Sequence, residues 1–208
     1  MAVGKKKSSP PESTRDAFLR VTVQMIDSHG ETAVKLDDVL AQAQASVSSL
    51  YHHFGSLRGL IEEAQVQRFV LARNFDVDRL KAGVEKARTR SEFVELLDSV
   101  ASNMIDNGRA FNRMRRITAL ASSEASEEMR TRLVQLELQS LHSVVDDFRI
   151  AQSRGLIPKN IDIEAATLWG STVAFSRTLT EILDDADLQE RWDEMARRSI
   201  LQAFGLSK

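Results

Sequence analysis

The stretch SVSSLYHHF, residues 46–54, gathers Ser46, Ser48, Ser49, Tyr51, His52 and His53 within nine positions. Hydroxyls, a phenol and imidazoles can donate and accept hydrogen bonds, ligate a metal or relay protons. Adjacent histidines on a helix point about 100° apart, so His52 and His53 are poorly placed to chelate one ion. No metal site and no cofactor are expected. Other acid pairs offer no better chemistry. Asp146-Asp147 and Asp184-Asp185 are sequence neighbours that do not converge, and Asp184-Asp185-x-Asp187 lacks the glycine and closing glutamate of a calcium loop. There is no Gly-rich phosphate loop, no HExxH and no nucleophile elbow. The chain therefore reads as a non-enzyme with no catalytic residue, and SVSSLYHHF reads as a surface that touches something.

Composition narrows the setting. The 208 residues are 42% hydrophobic and 28% charged, as in an ordinary soluble globular chain. No apolar run reaches membrane-spanning length, and the basic N-terminal MAVGKKKSSPPES lacks the apolar core of a signal peptide. The absence of cysteine fits a reducing compartment. A cytoplasmic protein with no membrane partner is the expectation. A net charge of −2 gives no global attraction to nucleic acid, so any such contact must be local.

The elements that position the polar stretch are all helices. Of three prolines, Pro10 and Pro11 lie in a basic arm over 1–12, and only Pro158 falls in the interior. Ser13 with Asp16 resembles a capping box, and Phe18, Val21, Met25 and Ile26 form an apolar stripe ending at His29-Gly30. A short helix is predicted at about 36–43, with Asp37 and Asp38 in its first turn. Ser46 then caps a helix over 47–53. Val39, Leu40, Ala43, Ala45, Leu50 and Phe54 would form a small core, leaving Val47, Ser48, Ser49, Tyr51 and His52 outward. Ser56 starts a long helix to about Phe75. Five more helices are predicted at about 91–106, 109–122, 126–154, 162–183 and 187–204. In the 126–154 helix, Val134, Leu138, Leu141, Val145 and Phe148 give the inward face of the larger domain.

Two short helices joined by a tight turn, packed on a preceding helix, form a helix-turn-helix candidate. The segment HGETAVKLDDVLAQAQASVSSLYHHFGSLRGL (29–60) resembles the DNA-binding segment of TetR-family bacterial repressors. The shared features are Gly30, Ala43-x-x-Ser46, Leu50-Tyr51-x-x-Phe54, and Ser56 four residues before Leu60. Gln44 stands where the family usually has glycine, and Leu57 where it has lysine, with Arg58 next door.

The resemblance implies an all-α fold. Residues 1–56 would form an N-terminal arm and three-helix DNA-binding domain, and 57–208 a larger effector-binding and dimerisation domain. It implies a homodimer that binds a pseudo-palindromic operator in double-stranded DNA and is released by a small, mainly apolar effector. The DNA-contacting set would be Lys35, Ser46, Val47, Ser48, Ser49, Tyr51, His52, His53, Ser56 and Arg58. Short hydroxyls can approach base edges, while the tyrosine and imidazoles can reach phosphates. His53 has packing against the next helix as an equal alternative. The Lys5–Lys7 arm either adds backbone contacts or only solubilises the chain.

Candidate pocket residues are Met104, Phe111, Met114, Leu120, Leu141, Val145, Phe148, Trp169 and Phe175, with Arg115 and His142 as polar members. Met and aromatic side chains adapt to irregular ligands, although at helical spacing they also serve as plain core. Arg113, Arg115 and Arg116 are either a solvated face or include a partner for an acidic effector. For the dimer, Ala166, Gly170 and Ala174 recur every four residues on one helix, clearing a side for close approach. Leu188, Trp192, Met195 and Ala203 give the last helix a matching apolar face. A helical protein-binding adaptor that has lost DNA binding is the rival reading, favoured by the uncharged 47–51 face and by Leu57.

Overall fold

The computed structural model describes residues 12–72 and 77–206, so the Lys5–Lys7 arm lies outside the described residues. Among the described residues there are only helices and turns, and no helix is long and apolar enough to cross a membrane. Contacts divide the chain into two compact units at Arg68–Phe69.

The first unit opens with α1 (Thr14–His29). Its N-cap hydroxyl, on Ser13, accepts from the Asp16 N–H at 3.1 Å and donates to Asp16 Oδ2 at 2.7 Å. Aspartate thus binds the cap hydroxyl, whereas the glutamate of a full capping box would reach the cap backbone. Gly30, at φ 82°, closes the helix, and a single 3-10 turn (Glu31–Ala33) leads to α2 (Leu36–Ala43).

Gln44 occupies the left-handed turn at φ 51°, ψ 43°, a conformation that costs a non-glycine residue about 1–2 kcal/mol. The Ala45 N–H donates back to the Leu40 carbonyl at 3.2 Å and satisfies an end of α2. α3 (Val47–Phe54) follows, and α4 (Leu57–Leu71) starts after the Ser56 hydroxyl, which accepts from the Gly59 N–H at 2.9 Å. The sequence-predicted end of this helix, Phe75, is outside the described residues.

Phe18, Leu19, Val23, Ile26, Val39 and Leu50 form the core of this unit, completed from α4 by Leu60 and Ala64. Phe54 packs edge-on to Phe18, with ring centroids 6.0 Å apart. Leu57 packs against the same core. The sequence reading opened the second domain at residue 57. The division of contacts falls later because Leu60 and Ala64 belong to the helix-turn-helix core. A polar cluster holds the same turns of α4. Arg68 Nε donates to Asp27 Oδ1 at 2.8 Å, Arg68 Nη1 to Gln65 Oε1 at 2.5 Å, and Gln65 Nε2 to Glu31 Oε2 at 2.6 Å.

The second unit contains α5 (Val77–Lys86), α6 (Arg90–Ile105), α7 (Ala110–Ser122), α8 (Glu127–Ser153), α9 (Ile163–Leu183) and α10 (Ala186–Ala203). The last five match the predicted helices closely. α5 was not predicted: among its described side chains the buried hydrophobics are Leu80 and Val84, and Gly83 with many charges obscures the pattern. Arg154 secures it, its guanidinium donating to the last carbonyls of α5, Val84 at 2.7 Å and Ala87 just beyond. At the start of α6, Thr89 and Glu92 form a full capping box. Backbone N–H groups of Arg88 and Thr89 hold the Glu92 carboxyl below the usual carboxylate range.

α9 packs on α10 and α8, and α10 on α6. Phe148 lies at the centre, its ring 4.7 Å from Phe204 and 6.2 Å from Phe93. Leu141, Val145 and Phe148 face this core as expected, but Val134 and Leu138 are exposed. The N-terminal half of α8 buries Met129 and Leu133 in their place, a shift of one position along the helix.

Candidate nucleic-acid interface and core cavity

The candidate interface is built from the turn outward. With Gln44 in the left-handed region, Ser46 sits in extended conformation at the head of α3. Its hydroxyl accepts from the Ser49 N–H at 3.2 Å and lies 2.9 Å from Ser48 Oγ. Leu50 is fully buried and sets the rotation of the helix. That phase leaves Val47, Ser48, Tyr51, His52 and His53 exposed and Ser49 half-buried. Tyr51 is 50% exposed, far from a core tyrosine. His53 is exposed, so it does not pack under α4. Its ring stands 5.1 Å from that of His52 and 6.1 Å from that of Phe54.

Lys35 and Ser56 are exposed at the two flanks of this face. Arg58 is exposed as well and pairs with Glu62 one turn along α4 at 3.0 Å. The face is therefore polar and uncharged at its centre, with cations only at its edges. Such a surface can form hydrogen bonds to base edges and phosphates.

The second unit contains a partly open cavity of about 90 Å³. Leu97, Val100, Leu141, Val144, Phe148 and Phe204 form apolar walls. Its polar lining is Arg113, Arg116 and Glu137, with Ser140, Thr167 and Ser171. Arg113 is fully buried, donating to the carbonyls of Met104 and Asp106 at 3.0 Å each and pairing with Glu181. Arg116 pairs with Glu137 at 2.5 Å, and its guanidinium lies 4.8 Å from the ring centroids of both Phe69 and Phe175.

Of the sequence-predicted pocket set, Met104, Leu141, Phe148 and Phe175 line this cavity. Val145 is buried in the surrounding core without lining it. Phe111, Met114, Leu120, His142 and Trp169 are exposed, and Arg115 lies over the Phe111 ring at 4.4 Å. The reason is the phase of α7: its inward face carries Arg113, Arg116 and Ala119, because acids from other helices neutralise the arginines there. Sequence alone shows the arginines but not Glu137 and Glu181, which lie on α8 and α9.

The small-residue stripe also turns inward. Ala166, Gly170 and Ala174 are buried within their own subunit. The nearest atom to a Cβ built on Gly170 would be Ile200 Cγ2, at 3.9 Å. The spacing thus lets α9 approach α10 of the same chain, which corrects its assignment to a subunit interface. On α10, Leu188, Trp192 and Ala203 are half-buried and Met195 is exposed. The apolar side chains that α9 presents to solvent are Leu168, Trp169, Leu179, Ile182 and Leu183.

Comparison with known proteins agrees with this architecture. Residues 18–64 match the profile described as bacterial regulatory proteins, tetR family. No curated protein matches the chain. Three solved structures are similar along almost its whole length. One, from Rhodococcus sp. RHA1, was solved by structural genomics and assigned as a transcriptional regulator; it shares 18% identity at TM-score 0.64, covering 94% of this chain and 97% of its own. GusR of Salmonella enterica shares 18% at TM-score 0.62, covering 96% and 100%. A TetR transcription regulator from Haloarcula marismortui shares 14% at TM-score 0.63, covering 92% and 96%. At these identities the structures show a common fold. Residues 18–64 thus match the DNA-binding segment of the tetR family of bacterial regulatory proteins, within an all-helical chain that shares the fold of these structures.

Proposed function

We propose that this chain is a TetR-family transcriptional regulator: a cytoplasmic, ligand-responsive repressor that binds a pseudo-palindromic operator in double-stranded DNA as a homodimer. The observation that carries the reading is the solvent face of α3: Ser48, Tyr51 and His52 stand outward on a helix whose phase is fixed by Leu50 and whose start is fixed by Ser46. Ser48 is placed to read a base edge, and Val47 to meet a thymine methyl. Tyr51, the two histidines and the flanking Lys35 and Arg58 take phosphates. Ser49 acts mainly through its N–H, held by the cap. Leu57 favours no loss of DNA binding, because its side chain packs into the helix-turn-helix core.

Residues 1–56 read DNA in this proposal, and 57–208 sense and dimerise, with α4 as the element common to both tasks. The outward apolar stripe of α9, Leu168, Leu179 and Leu183, with Met195 on α10, pairs with its copy about a twofold axis. A small, mainly apolar molecule enters the cavity and favours the form whose recognition helices no longer fit the operator. By linkage, effector and operator then weaken each other's binding by the same factor.

The reading of α3 is tested by anisotropy with duplexes from the DNA upstream of the chain's own gene. Tyr51→Ala is expected to weaken binding about tenfold for every sequence, the loss of one hydrogen bond to a charged group. Ser48→Ala should change the ranking of single-base variants and leave non-specific binding alone. Wild-type affinity and ranking in both variants would remove α3 from the groove.

A further inference from the structure

We infer that the cavity ligand is a small carboxylic acid, its carboxylate taking the place of Glu137 on Arg116 and its apolar body lying against Leu97, Val144 and Phe148. The inference rests on the effector reading above and assigns the chemical class of that effector.

The two arginines that line the cavity are not equivalent. Arg113 is committed to two backbone carbonyls and to Glu181, and it holds the end of α6 to α7 and α9. Arg116 has one ion pair, to Glu137, and no backbone carbonyl among its partners; its buried Nε, like that of Arg113, has no hydrogen-bond partner among the described residues. The rings of Phe69 and Phe175 keep its guanidinium in place. Arg116 is therefore the donor with capacity to spare, held at the cavity.

Burial of the pair decides the sign of the ligand charge. The Arg116 side chain is 14% exposed and that of Glu137 39%. Glu137 can turn into water while an incoming carboxylate takes over the guanidinium, so the buried charge balance is preserved. The opposite exchange, a cationic ligand taking Glu137, would strand a buried arginine without its counter-charge, which is strongly unfavourable. A neutral ligand could accept a hydrogen bond from Arg116 but would bring no counter-charge to replace that of Glu137. Carboxylate also matches the planar guanidinium fork better than a point acceptor does. Size sets the rest: about 90 Å³ is well below the ~300 Å³ at which drug-sized pockets begin, so the body is a single ring or a short chain.

The test is calorimetric titration of the full-length protein with benzoate and hexanoate, each beside its neutral isostere, benzamide and hexanamide. At least one acid is expected to bind at least tenfold more tightly than its amide. Arg116→Met should abolish that difference. Glu137→Gln, which removes the competing carboxylate, should tighten acid binding severalfold and leave the amides unchanged. Circular dichroism checks that each variant is folded. Amides binding as tightly as acids would overturn the assignment of class. If that binding is lost in Gly170→Leu, which fills the cavity wall, the effector reading survives. If it persists there, the molecule binds elsewhere and both readings fall. Silence of both acids in the wild type and in Glu137→Gln overturns the inference as well.

Discussion

Asp27→Ala is expected to destabilise the helix-turn-helix unit by about 3–5 kcal/mol, a large share of the about 5–15 kcal/mol that keeps a domain folded. Arg68 is the reason. Its side chain is 5% exposed and that of Asp27 12%, so the pair is shielded from water. Removing Asp27 takes away a close counter-charge that offsets the desolvation of a buried guanidinium, which costs more than the lost hydrogen bond alone. Gln65, itself buried and bonded to both Arg68 and Glu31, would lose its alignment too. The midpoint of urea unfolding, converted with the measured slope, reports the loss. The double replacement Asp27→Leu with Arg68→Met should recover much of it, because an apolar pair of similar volume has no desolvation penalty. A single-variant loss below about 1 kcal/mol would mean that water reaches Arg68. Function should follow stability here, since this cluster ties α4 to α1.

Gly59→Ala is expected to be nearly as damaging, at about 3 kcal/mol, through overlap. A Cβ at this position would lie 2.3 Å from the carbonyl oxygen of Phe54, the last residue of α3. A flexible side chain could move aside, but a backbone carbonyl cannot do so cheaply. Phe54 is packed on Phe18, and Leu50 is buried one turn before it. Relief must therefore come from separating α3 and α4, which rotates the outward face of α3. The variant should melt lower and, below its melting temperature, bind operator more weakly than the remaining folded fraction accounts for. A variant that melts like the wild type and binds like it would show that the α3–α4 junction yields freely.

The parts of the fold that the sequence made legible are those set by local chemistry. Ser13 and Ser46 as caps, Gly30 as a stop and Gln44 in the turn are decided within four or five residues, and the structure has each of them in that role. The breaks near Asn107-Gly108, Ser123, Gly155–Pro158 and Asp184 are local in the same sense. What escaped was decided across long separations. α5 depends on Arg154 capping it from the end of α8. The arginine lining of the cavity depends on Glu137 and Glu181, and without them an arginine-bearing face of α7 reads as solvated. The Ala166, Gly170, Ala174 stripe announces a close approach, but spacing cannot say whether the neighbour is the same chain or a copy. Gly59 is visible as a glycine in the first turn of a helix, whereas its nearness to the Phe54 carbonyl exists only in three dimensions.

The central claim is that the outward face of α3 reads a defined DNA sequence. Its most direct test is a footprint of the purified protein on the DNA upstream of its own gene, repeated over a series of salt concentrations. The account predicts one protected pseudo-palindrome whose half-sites are set by the dimer, bound at least 10³-fold more tightly than bulk DNA at physiological salt. Affinity should fall as salt rises, with a modest slope, because the cations lie only at the edges of the interface. Uniform, sequence-blind protection, or none at any salt concentration, would contradict it.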